Sequence, residues 1–116
     1  MTVAVIFEVV PAVGQREAYL EAAASMRGLA EGIDGFVSVE RFESLTHPGK
    51  LLSLSIWRDE AAVAAWRRLA EHRAMQKKGR ALYFEGYRLR VASVIRDYGM
   101  EARDEAPTDS RESQGV

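Results

Sequence analysis

Residues 36–57 read FVSVERFESLTHPGKLLSLSIW, and the fold turns on how this stretch is read. Two runs rich in β-branched, aromatic and aliphatic residues, FVSVERFESL and LLSLSIW, flank the tetrapeptide HPGK. Pro48 pre-sets its own φ and Gly49 accepts a positive one, which predicts a type II turn between two strands. Residues 36–57 are therefore expected to form a hairpin, the second and third strands of a sheet.

Upstream, TVAVIFEVV is a β-branched run that stops at Pro11, a first strand. In GQREAYLEAAASMRGLAEGI the apolar positions Tyr19, Ala22, Ala23, Met26, Ala30 and Ile33 recur mainly at steps of three and four, which makes one face of a helix. Gly32 and Gly35 close it. Downstream of the hairpin, Asp59 reads as an N-cap, with Glu60 in the first turn where the helix dipole favours an acid. Ala62, Val63, Trp66 and Ala70 form the inner stripe of the second helix. AWRRLAEHRAMQKKGR, residues 65–80, predicts a break and a second short helix, with His72, Met75, Gln76 and Gly79 on one side. YRLRVASVIRDY, residues 87–98, is the last strand.

The order β-α-β-β-α-β defines an α+β, ferredoxin-like fold: an antiparallel sheet with both helices on one face. A sheet covered on one face alternates apolar and polar residues. Here Val3, Val5, Phe7 and Val9 oppose Ala4, Ile6 and Val10 in the first strand, while Leu89, Val91 and Ile95 oppose Ala92, Val94 and Tyr98 in the last. Both faces are apolar, and the helices cover only one. A bare apolar face of this extent is unusual on a soluble monomer. The expectation is a homodimer through sheet-to-sheet packing, a dimeric α/β barrel.

The bulk composition sets the outer bounds. A chain of 116 residues holds one domain, expected over residues 1–100. Residues 101–116 carry five acids and two arginines and are expected to be a disordered polar tail. The formal net charge of the chain is −1, which points to neither nucleic acid nor a membrane as partner. Cysteine is absent, which excludes disulfides, thiolate metal sites and cysteine nucleophiles. The apolar run at the start is too short to span a bilayer and lacks a basic leader, so a cytoplasmic protein is expected. There is no GxGxxG, phosphate loop or nucleophile elbow, and the two histidines are far apart in sequence, so no nucleotide cofactor, flavin or metal is implied.

GFVSVERFESLTHPGKLLSLSIWRDEAAVAAWRRLAEHR together with YRLRVASVIRDYGM resembles the antibiotic biosynthesis monooxygenase superfamily of dimeric α+β barrels. The likeness spans roughly residues 2–100. It rests on a Gly-Phe strand, a hairpin, a strand ending in Trp57 and an acid-capped helix bearing Trp66. Such a resemblance implies a cofactor-independent monooxygenase oxidising a small aromatic or quinol-type ligand with O₂. It equally admits a haem-degrading monooxygenase or a non-catalytic dimeric module that binds a small ligand. The haem-degrading branch has a histidine nine or ten positions after the helix tryptophan and an asparagine in the first strand. This chain has Met75 and Gln76 at the former and Ile6 or Phe7 at the latter.

Oxidation without a cofactor needs a base near neutral pH, a donor that holds the substrate oxygen, and a dry cavity. His72 fits the first role and the Trp66 indole N–H the second. Phe7, Met26 and Tyr83 are the expected walls, and Arg27 the expected oxyanion stabiliser. A structural reading stands beside each: His72 satisfying backbone carbonyls at a helix break, and Trp66 packing as core. His47 precedes the turn proline and is expected to be exposed. Arg88, Arg90 and Arg96 crowd the last strand, with Glu8, Glu40 and Glu43 as the strand acids available to pair with them.

Overall fold

The computed structural model describes residues 1–116, with Ala70 described by its backbone alone. Its strands are β1 (Val3–Pro11), β2 (Phe36–Glu43), β3 (Leu51–Trp57) and β4 (Phe84–Ser93). Helix α1 (Arg16–Glu31) joins β1 to β2. Helices α2 (Glu60–Arg68) and α3 (Ala70–Lys78) and a π-helical turn (Gly79–Tyr83) join β3 to β4. The sheet is antiparallel and open, in the order β2-β3-β1-β4. This is the ferredoxin-like α+β fold that the hairpin and its flanks predict.

Local chemistry explains the boundaries. Gly49 has φ of 88°, the left-handed value that the HPGK turn requires. The Asp59 carboxylate accepts a 2.9 Å hydrogen bond from the Ala62 amide and starts α2. Leu69 is extended, with φ −61° and ψ 130°, and this one residue separates α2 from α3. Gly35, at φ 95°, lies so close to α2 that a Cβ there would sit 2.8 Å from the Ala62 Cβ.

The last strand departs from the sequence reading. It begins at Phe84 and ends at Ser93 rather than covering 87–98. Antiparallel pairing with β1 sets both limits, since Pro11 pairs with Phe84 and Val3 with Ser93. One further bond, from the Val94 amide to the Thr2 carbonyl at 2.9 Å, exhausts β1. Residues 94–100 run on past it, with Ile95 and Met100 exposed. In segment 101–116, for which composition predicts disorder, the structure places Ala106 in a buried position and a helix, α4 (Thr108–Gln114).

The helices pack on one face. Val3, Trp57, Ala30, Ala62 and Val63 form one buried cluster, and Val9, Leu51, Tyr19, Ala23 and Tyr83 form another. The side chain of Ala70, expected on the α2 stripe, lies outside the described residues. On the opposite face, pairing puts Ile6 beside Leu54 and Ala4 beside Ile56. Ile6, Leu52, Leu54 and Ile56 are only half-buried there. Charge closes one end of this face: Glu8 takes Arg90 at 2.8 Å and Lys50 at 3.2 Å, and the two cations hold its carboxyl below the usual range. Among the described residues no helix is long and apolar enough to cross a membrane.

Candidate functional site

Between the helices and the sheet lies a cavity of about 200 Å³. Its floor follows from strand register, because residues directly opposite in an antiparallel pair share a face. Three rows lie in order on this face: Leu51–Val9–Tyr87, of which Tyr87 lines the cavity, then Arg41–Ser53–Phe7–Leu89, then Val39–Ser55–Val5–Val91. Helix α1 supplies Tyr19, Met26 and Arg27 above this floor; α2 and α3 supply Trp66, His72, Met75 and Gln76. The β4 side is open, with Tyr87, Leu89 and Val91 each more than two-fifths exposed.

His72 and Trp66, singled out by sequence, meet in the cavity wall. Their rings lie with centroids 4.4 Å apart and planes inclined at 32°. Trp66 in turn leans on Trp57, at 6.2 Å between ring centroids. The Leu69 break brings this about: it lets α3 change direction, so that His72 folds back over the Trp66 ring. Trp57 Nε1 is already engaged, donating to Ser55 Oγ at 2.9 Å. His72 Nδ1 is buried and has no hydrogen-bond partner among the described residues. Burial pushes the imidazole below its ordinary pKa, with the nearby Arg67 backbone acting weakly in the opposite direction. His72 is thus neutral at pH 7, the form able to take a proton.

The other expected site residues divide. Phe7, Met26 and Arg27 line the cavity; Arg27 also pairs with Glu31 at 3.1 Å. Tyr83 does not line it, which corrects its expected role as a wall. Tyr83 packs instead with Val9, Tyr19, Ala23 and Leu51, and the ring lining the cavity is that of Phe84. The wide π turn accounts for the difference, because its extra residue shifts which of two adjacent aromatics faces inward. Gly79 makes the arrangement possible: a Cβ there would stand 2.5 Å from the Phe84 ring. Phe84 contacts Phe7, Tyr19 and Tyr87 in edge-on aromatic pairs with ring centroids 5.5–5.7 Å apart.

Sequence reasoning passed over Arg41, Tyr87 and the cavity-facing role of Tyr19, and it reads Arg80, with Lys77 and Lys78, as a solvated helix end, whereas Arg80 lines the cavity. One signal was available, because Arg41 is in phase with Val39 on the inner face of β2. Tyr19 is buried, which raises its pKa, while the adjacent Arg41 guanidinium opposes the rise.

Residues 2–78 match the family model described as antibiotic biosynthesis monooxygenase. The chain belongs to the antibiotic biosynthesis monooxygenase family. A relative named jasmonate monooxygenase ABM, from Pyricularia oryzae, is 42% identical over 114 residues, 97% of this chain and 53% of that protein. The chain therefore spans about half the length of that relative. The uncharacterized protein YqjZ of Bacillus subtilis is 37% identical over 67% of each chain. Among solved structures, Rv0793 from Mycobacterium tuberculosis superposes with a TM-score of 0.76 at 20% identity, over 85% of this chain and 100% of that one. SnoaB, a cofactor-independent oxygenase from Streptomyces nogalater, superposes with a TM-score of 0.72 at 12% identity, over 83% and 95%. At such identities the structural likeness is one of fold. For the haem-degrading branch of this family the cavity is a poor match. Met75 and Gln76 occupy the expected ligand positions on its wall.

Proposed function

We propose that this member of the family is a cofactor-independent monooxygenase acting on a small phenol- or quinol-type substrate in the cavity beneath α1 and α3. The observation that carries the reading is the His72–Trp66 pair, the two rings 4.4 Å apart in the wall of a largely apolar cavity.

In this reading His72 removes the phenolic proton. The resulting anion passes one electron to O₂, and the two radicals combine at a ring carbon that bears hydrogen, ortho or para to the oxygen. Loss of water from the peroxide leaves a carbonyl at that carbon. One oxygen atom enters the product and the other leaves as water, balanced by the two hydrogens lost from the substrate. The Trp66 N–H positions the substrate oxygen. Arg27, at the rim, stabilises the oxyanion. Phe7, Met26 and Phe84 keep bulk water from the peroxide.

The same reading includes a two-fold dimer through the uncovered sheet face. It is supported by the half-buried Ile6, Leu52, Leu54 and Ile56 and by the outstretched segment 94–100. The radius of gyration of 16.6 Å also exceeds the roughly 13 Å expected of a compact chain this long.

Oxygen uptake with a panel of phenols and hydroquinones tests the activity. Catalysed uptake coupled to a product one oxygen heavier supports it. Binding without uptake across the panel would assign the cavity to a non-catalytic ligand-binding module.

A further inference from the structure

Four guanidinium groups line this largely apolar cavity, those of Arg27, Arg41, Arg67 and Arg80, and no aspartate or glutamate stands among the described lining residues. Three of the four belong to helices or the π turn above the floor. Arg27 is paired with Glu31, Arg80 donates to the Tyr87 hydroxyl at 2.7 Å, and Arg67 lies in the last turn of α2.

Arg41 differs from these. It rises from β2 in the sheet floor and makes no ion pair among the described residues. Its Nε is sealed from solvent and has no hydrogen-bond partner among them. Ser53 is directly opposite it in the β2–β3 register, and the Tyr19 hydroxyl lies beside it. A half-buried guanidinium with no carboxylate paired to it favours an anion beside it. A planar fork matches a carboxylate better than any other simple anion.

The floor is graded in the same sense. Along the inner face of β3, Ser53, opposite Arg41, gives way through Ser55 to Trp57. From these observations we infer that the cavity takes an amphipathic aromatic acid, its carboxylate held by Arg41 with Tyr19 and Ser53 and its ring lying toward Trp66 and His72. The inference rests on the reading that this cavity holds the substrate, and it names the substrate's class. Ser53 and Trp57 are four residues apart in β3, about 13 Å along the strand. A molecule reaching from Arg41 to the Trp66 ring above Trp57 is then on the order of 10 Å long, allowing for side-chain reach.

Trp57 and Trp66 are the only tryptophans of the chain, and both line the cavity, so their fluorescence reports its occupancy. The test is a titration under argon with 4-phenylbutanoate and with the isosteric, uncharged 4-phenylbutanamide. The acid is expected to bind at least about tenfold more tightly than the amide, as a charge-assisted pair implies. That preference disappears in Arg41→Met, shrinks in Tyr19→Phe, and persists in Arg88→Met, which removes a cation from the other sheet face. If Arg41→Met does not fold by circular dichroism, the wild-type comparison and Tyr19→Phe decide. Equal binding of acid and amide, no binding of the acid, or a preference that survives Arg41→Met overturns the inference. Binding of 4-phenylbutylphosphonate about tenfold tighter than the carboxylate overturns it in favour of a phosphate-type head. The titration involves no turnover, so its failure leaves the monooxygenase reading standing, and an inactive enzyme leaves the anchor intact.

Discussion

The His72 ring lies against the Trp66 ring with 4.4 Å between centroids, although six residues and a helix break separate the two in sequence. This contact gives both residues a structural reason to be where they are and still leaves the imidazole on the cavity wall. Packing and chemistry are therefore separable by mutation. In His72→Phe the stacked ring remains and the base is lost. Oxygen uptake with an accepted phenol is expected to fall about 10²- to 10⁴-fold, the usual contribution of a general base, while the fold by circular dichroism is unchanged. Equal rates in variant and wild type would remove His72 from the mechanism.

The pH dependence follows from the same burial. Desolvation lowers the His72 pKa from 6.5, so the basic form predominates at neutral pH. The kcat/KM profile should be flat near pH 7 and fall only as the pH drops below 6.5. Stability has the same sign. The folded-state value lies below the unfolded one, so the unfolded chain binds the extra proton first, and stability declines as pH falls from 6.5 through the lowered value. A pH series of thermal melts should show this decline in wild type and less of it in His72→Phe.

Gly79 is required for space rather than for backbone freedom. A methyl group there meets the Phe84 ring at 2.5 Å, and that ring belongs to the aromatic cluster walling the cavity. Gly79→Ala is expected to lower the unfolding free energy by about 1–3 kcal/mol, the usual range for overpacking, and to weaken ligand binding through displacement of Phe84. Urea unfolding read by circular dichroism, beside a tryptophan-quenching titration, measures both.

At the start of α2 the Asp59 carboxylate holds the Ala62 amide. Asp59→Ala should lower the melting midpoint by a few degrees, whereas Asp59→Asn, which keeps an acceptor oxygen, should lower it less. A midpoint unmoved in the alanine variant would mean that this cap contributes nothing measurable.

The uncovered sheet face gives a prediction about assembly. Leu54 is paired with Ile6 on that face, and a charge there opposes burial against a second copy. Sedimentation at micromolar concentration should find a two-copy particle in wild type and a single-copy particle in Leu54→Glu. A wild-type monomer would remove the dimer from the reading.

The sequence by itself determined the element order as far as β4, the HPGK turn, the Asp59 cap and the helix break, because each is set by interactions between residues a few positions apart. It also brought His72, Trp66, Phe7, Met26 and Arg27 into consideration on chemical grounds, and all five line the cavity. What only the tertiary structure decided depends on register between distant strands and on one wide turn. The end of β4 is fixed by where β1 runs out, at the bond between Val94 and Thr2 near the other end of the chain. The exchange of Tyr83 for Phe84 as a wall came from the π turn, whose extra residue leaves no periodic mark in five residues. Arg41 became a candidate ligand anchor only when pairing set it beside Ser53 and under Tyr19, with no ion pair among the described residues. Local pattern records which way a side chain faces; which groups it meets there is fixed by the packing of elements far apart in the chain.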